Sequence, residues 1–61
     1  MKQYDVNRIE VTYTNGDFKA YPKVDPSSIE QDDKLLVFDF SGHAALINLR
    51  NVNFVEFSHE D

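Results

Sequence analysis

The chain contains two glycines, Gly16 and Gly42, and each stands in a turn signal between runs of β-branched and aromatic residues. Asn15-Gly16 separates "RIEVTY" from "DFKAYP", and Ser41-Gly42 separates "KLLVFDF" from "HAALINL". Asn-Gly is the strongest short-range signal for a two-residue type I′ turn, because both residues tolerate positive φ. Two hairpins are therefore the first expectation. No segment carries a helical period of useful length, so helices do not compete with this reading.

In a two-residue Asn15-Gly16 loop, Tyr13 faces Phe18, Val11 faces Ala20 and Ile9 faces Pro22 on the core side. Thr12 then opposes Lys19, and Glu10 opposes Tyr21, on the outer side. Pro22 cannot donate to a ladder, so the second strand is expected to end near Tyr21, with a loop running to Pro26. "SSIEQDD" reads either as one helical turn capped by Ser27 or as a short strand over 28–31 leading into a turn at Asp32-Asp33. The strand is preferred, because too few apolar residues are present to anchor a helix. In the second hairpin, residues 34–40 and 43–49 pair Phe38 with Ala45 and Leu36 with Ile47 on one face, and Val37 with Leu46 on the other. A three-residue loop would shift that register by one. Both faces are apolar, so this ribbon asks to be covered twice. A turn near Arg50-Asn51 and a strand over 53–58 complete the chain, with Phe54 on one face and Val55 and Phe57 on the other. The expected fold class is all-β, a small antiparallel meander of five or six strands, with an SH3-like barrel as its curled form.

With 61 residues the chain makes one domain, 1–61, and a domain of this size buries only about 60% of the surface its unfolded form exposes. Cysteine is absent, which removes disulfides and thiolate zinc sites as supports and leaves oligomerisation, a homodimer first of all. A hydrophobic content of 41% is too high for a disordered acidic tail despite the net charge of −5. No apolar run approaches the roughly 18 residues of a membrane span, and "MKQYDVNRIE" lacks a signal-peptide core, so a cytoplasmic protein is expected. Six basic residues face eleven acidic ones, and the bases are scattered. A phosphate backbone would be repelled at long range, which makes nucleic acid a poor partner and a basic protein surface a natural one.

No catalytic or cofactor motif emerges. His43 and His59 would need a third ligand such as Asp39, Glu56 or Asp61 to hold a metal, and nothing in the spacing requires one. Ser41 near His43 is a local nucleophile–base pair, and it lies at a turn. The two glycines belong to separate turns rather than to a phosphate-cradling loop. Tyr4, Tyr21 and the phenylalanines could stack bases only beside a positive groove. No cofactor, metal or active site is expected. Asp25, Glu30, Asp32 and Asp33, with Asp39, could instead form a negative stripe that docks on a Lys/Arg surface. A solubility device is the plainer reading of the same charges.

The second half, "KLLVFDFSGHAALINLRNVNFVEF", resembles short accessory proteins of phages and mobile elements of Gram-positive bacteria, through Ile47-Asn48-Leu49 followed by Asn51-Val52 and an aromatic closing strand. Some small phage proteins inhibit host defence systems by binding their components, and the resemblance implies such a role without assigning residues. The resulting expectation is a non-enzymatic protein-binding module, a stoichiometric inhibitor or regulator, with Tyr21, Asp32, Asp33 and Asp39 as contact residues. The alternatives are a small nucleic-acid-binding barrel using Lys19, Lys23, Tyr21 and Arg50, and a structural subunit of a larger assembly.

Overall fold

The computed structural model describes residues 6–60. Six strands, β1 (Arg8–Tyr13), β2 (Phe18–Pro22), β3 (Glu30–Gln31), β4 (Leu35–Phe40), β5 (His43–Asn48) and β6 (Val52–Ser58), are joined by turns and by two short 3-10 segments. They form two antiparallel sheets of three strands, ordered β2-β1-β6 and β3-β4-β5. The all-β class is as expected. Closure is not reached, since β5 and β6 do not pair, and the chain is not a simple meander because β6 returns to lie beside β1.

Two corners move the chain between the sheets, and they use one device. At the first, Asp25 caps the 3-10 turn Pro26–Ser28 by accepting the Ser27 amide, and the Ile29 N–H closes it on the Pro26 carbonyl. At the second, Asn48 caps Leu49–Asn51 by accepting the Arg50 amide, and the Val52 N–H closes it on the Leu49 carbonyl. The cap dihedrals are nearly the same, φ −86° and ψ 107° at Asp25 against φ −82° and ψ 107° at Asn48. Residues 27–31 therefore combine the two readings left open by sequence. Ser27 and Ser28 sit in a helical turn whose cap is Asp25 rather than Ser27, and Glu30–Gln31 form the short strand.

Of the two registers left open by sequence, the second hairpin takes that of the two-residue loop, with Leu36 opposite Ile47, Val37 opposite Leu46 and Phe38 opposite Ala45. Its type I′ turn places both Ser41 (φ 48°) and Gly42 (φ 82°) in the left-handed region. The first hairpin does not follow the expected register. Only Gly16 (φ 94°) has positive φ there, the Gly16 N–H donates to the Tyr13 carbonyl at 3.0 Å, and the Tyr13 N–H donates to the Asp17 carbonyl at 2.8 Å. This is a three-residue loop with a type I turn and a glycine bulge. Asn15 favours it by using its side chain, since Oδ1 accepts the Asp17 amide at 2.9 Å and Nδ2 donates to the Asp17 carboxylate at 3.1 Å.

That single extra loop residue turns β2 over. Ile9 now faces Tyr21, Val11 faces Lys19 and Thr12 faces Phe18. The expected core positions Phe18, Ala20 and Pro22 lie on the outer face, with Phe18 61% exposed, while Tyr21 enters the core at 7%. Ile9, Val11, Tyr21, Val24, Leu36, Phe38, Ala45 and Ile47 make up that core. The Tyr21 ring meets Phe38 and Phe40 edge-on, at centroid distances of 5.2 and 4.9 Å. Each large apolar side chain so buried contributes about 1.5–3 kcal/mol.

Backbone hydrogen bonds around Lys23–Asp25 join the two sheets. Lys23 (φ 56°) bends the chain after β2, and Val24 pairs with Phe40. The Val24 N–H reaches back to the Asn7 carbonyl at 2.9 Å, and the Asp25 N–H reaches forward to the Asp39 carbonyl at 2.9 Å.

Candidate functional site

Strand alternation fixes what each sheet shows to solvent. Leu36, Phe38, Ala45 and Ile47 point inward, so the outer face of β3-β4-β5 carries Glu30, Leu35, Val37, Asp39, Ala44, Leu46 and Asn48. One row runs Glu30, Val37, Leu46 across the three strands. Leu46 is 69% exposed, with Leu35 also open to solvent and Val37 half-buried. The second hairpin is thus covered on one face by its own chain and uncovered on the other.

Of the expected contact residues, the structure separates what sequence grouped. Tyr21 is a core residue, corrected from the outer face by the loop register, and its ring offers no face to a partner or to a nucleic-acid base. Burial pushes its phenol up to about 12, and the Tyr13 hydroxyl adds to the shift. Asp32 serves its own turn. Its Oδ1 accepts the amides of Lys34 and Leu35, both at 2.7 Å, and these bonds hold its carboxyl below the usual range. Asp33 stands exposed in the same turn and lines an open groove of about 600 Å³ with Lys34, Leu35, Asn48, Leu49 and Arg50. Asp39 is exposed near the other end of β4, about 13 Å along the strand from Leu35 at 3.3 Å per residue.

The acidic groups are therefore spread over a corner, an edge strand, a turn and the central strand of one sheet. Asp25 is engaged as the cap of the first corner, its Oδ1 also accepting the Ser27 hydroxyl at 2.8 Å. Glu30, Asp33 and Asp39 keep carboxylates with no hydrogen bond or ion pair among the described residues, whereas Arg8 is held by Glu10 at 2.9 Å and Glu60 at 3.4 Å. Ser41 Oγ donates to the Pro22 carbonyl at 3.3 Å rather than engaging His43. The His43 ring packs 5.7 Å from Phe40. Among the described residues no three His, Asp or Glu side chains gather as metal ligands, and no helix is long and apolar enough to cross a membrane.

The other sheet has its own exposed row, Phe18, Thr12, Phe54, with Phe54 53% exposed. Thr12 interrupts it, and the adjoining row sets Glu10 opposite Glu56. The sequence reading places Val37 and Leu46 on a shared apolar face and Glu30 in the acidic stripe, but gives Leu46 and Leu35 no contact role. The signal was the excess of apolar residues on both sides of one ribbon. Nothing local announced the Phe18–Phe54 row, because it depends on the loop length at Gly16.

No family model, curated protein or solved structure matches the chain. The Ile47-Asn48-Leu49, Asn51-Val52 pattern nevertheless has a geometric content. Ile47 anchors the core, Asn48 caps the corner, and Val52 closes it and begins β6. The same arrangement at Asp25–Ile29 uses different side chains.

Proposed function

We propose that the chain is a non-enzymatic protein-binding module that acts stoichiometrically, as an inhibitor or regulator, by covering a basic surface of its target. The observation that carries this reading is the outer face of β3-β4-β5. Leu46, Val37 and Leu35 form an apolar centre, and the unpaired carboxylates of Glu30, Asp33 and Asp39 stand around it. Apolar centre and charged rim are the anatomy of an interface between proteins. The rim charges steer encounter with Lys/Arg-rich surfaces, and the leucines supply contact area once water is expelled. A host defence protein is the kind of target that the resemblance to phage accessory proteins favours.

The test is capture from a lysate of the cells that make the protein, with the tagged wild type beside Glu30→Lys and Asp39→Lys. One basic protein retained near equimolar amounts by wild type and lost from both variants, with retention weakening as salt rises, is the expected result. Equal recovery by all three proteins would overturn the reading.

A further inference from the structure

Four strand edges are open among the described residues: β2 and β6 in one sheet, β3 and β5 in the other. Three carry features that discourage pairing with another strand. β2 has Lys19 and Pro22, β3 is two residues long and carries Glu30, and β6 carries Glu56. β5, with the sequence HAALIN, contains no Asp, Glu, Lys, Arg or Pro.

Its outward-pointing backbone groups follow from the ladder. A two-residue turn makes Phe40 and His43 a hydrogen-bonded pair, and the Leu49 N–H donates to the Lys34 carbonyl at 2.9 Å in the same register. By alternation Phe38–Ala45 and Leu36–Ile47 are also bonded pairs. The N–H and C=O groups of Ala44 and Leu46 consequently point off the edge, as does the N–H of Asn48, whose C=O accepts the first bond of the 3-10 corner it caps, and all three residues are exposed.

We propose that this edge pairs antiparallel with β5 of a second copy, about a two-fold axis through Leu46. In that register Leu46 meets Leu46 of the partner subunit, Ala45 meets the partner's Ile47, and Ala44 meets the partner's Asn48. The uncharged composition of β5 selects this edge, and its self-complementarity selects this occupant, since a two-fold sets Leu46 on Leu46 with no Asp, Glu, Lys or Arg in the seam. Each copy carries a net charge of −5, so a seam that brings carboxylates into register is penalised, and β5 brings none. The product is a six-stranded sheet with a continuous outer row of Val37 and Leu46 from both copies, the acidic groups lying beyond it on either side. A closed two-fold pairing also ends the assembly at two and removes both β5 edges.

The experiment needs no target, so it stands or falls apart from the binding role. Sedimentation equilibrium of the full chain from about 10 μM to about 1 mM, a range suited to a small interface, is expected to show the mass rising from 7.1 kDa toward twice that value. Higher salt strengthens this association by screening like charges, the opposite sign to capture of a basic target. Ala44→Pro removes an outward N–H without touching the β4 ladder, and is expected to remain at 7.1 kDa. Leu46→Lys and Leu46→Glu each weaken self-association by about tenfold or more, and mixing them restores a heterodimer, because residue 46 meets its own counterpart. That charge swap decides the matter even where the proline variant does not fold. A wild type that stays monomeric throughout, a mass above two copies, or a dimer that persists in Ala44→Pro and both Leu46 variants overturns the proposal.

Discussion

Tyr21 holds its hydroxyl in a setting that favours the neutral phenol, and this links folding to alkaline pH. The ordinary value is 10.0 and the folded value about 12, so the unfolded chain loses its proton first as pH rises. Stability from this group is intact below pH 10 and falls away as pH climbs toward 12; a shift of this size corresponds to about 2–3 kcal/mol. Chemical denaturation across that range should show a steep loss for wild type and a shallower one for Tyr21→Phe. Asp32 runs in the other direction. Its carboxyl is held low by the amides of Lys34 and Leu35, so its contribution is present above the ordinary carboxylate value and disappears as pH falls through the lowered one. Asp32→Ala is expected to lower the unfolding midpoint at neutral pH, whereas Asp33→Asn, one residue on, leaves it unchanged. The distinction was not legible in "DDK", because nothing in two adjacent aspartates says which one turns back to the backbone.

At the scale of elements, turns and corners decide more than strand propensity does. Ser41-Gly42 forms the type I′ turn expected at Asn15-Gly16, and Ser41 is held in the left-handed region while its N–H donates to the Lys23 carbonyl at 3.1 Å. Asparagine tolerates that backbone better than serine, so Ser41→Asn should raise stability by about 0.5 kcal/mol in equilibrium unfolding. Asn48 caps the corner that starts β6, and Asn48→Ala should cost about 1 kcal/mol, with Asn48→Asp retaining most of it. An unchanged midpoint in Asn48→Ala would show that the corner is held by the strands around it. The two corners do not read as a repeat because Asp-Pro-Ser-Ser-Ile and Asn-Leu-Arg-Asn-Val share a hydrogen-bonding role and no identical position.

The whole molecule is one small core shared by two three-stranded sheets. At about 0.05–0.15 kcal/mol per residue, a domain of this length is held by only about 3–9 kcal/mol. Phe38→Ala, which empties the centre beside Tyr21, should cost about 3–5 kcal/mol and leave much of the population unfolded by circular dichroism at 25 °C. Eleven acidic residues against six basic ones give a net repulsion, and the ion pairs among the described residues all involve Arg8. The melting temperature of wild type is therefore expected to rise between about 20 and about 500 mM sodium chloride as that repulsion is screened.

Local chemistry by itself determined the all-β class, the place of the second hairpin, and the surplus of apolar side chains on one ribbon, because alternation along a strand and glycine in a turn act within a few residues. Tertiary structure alone decided which side of β2 is buried, that β6 lies beside β1, and that Leu46 is left uncovered. Those outcomes turn on one loop residue and on contacts between segments dozens of positions apart. The competing arrangements share the same local preferences and differ only in what the core can hold.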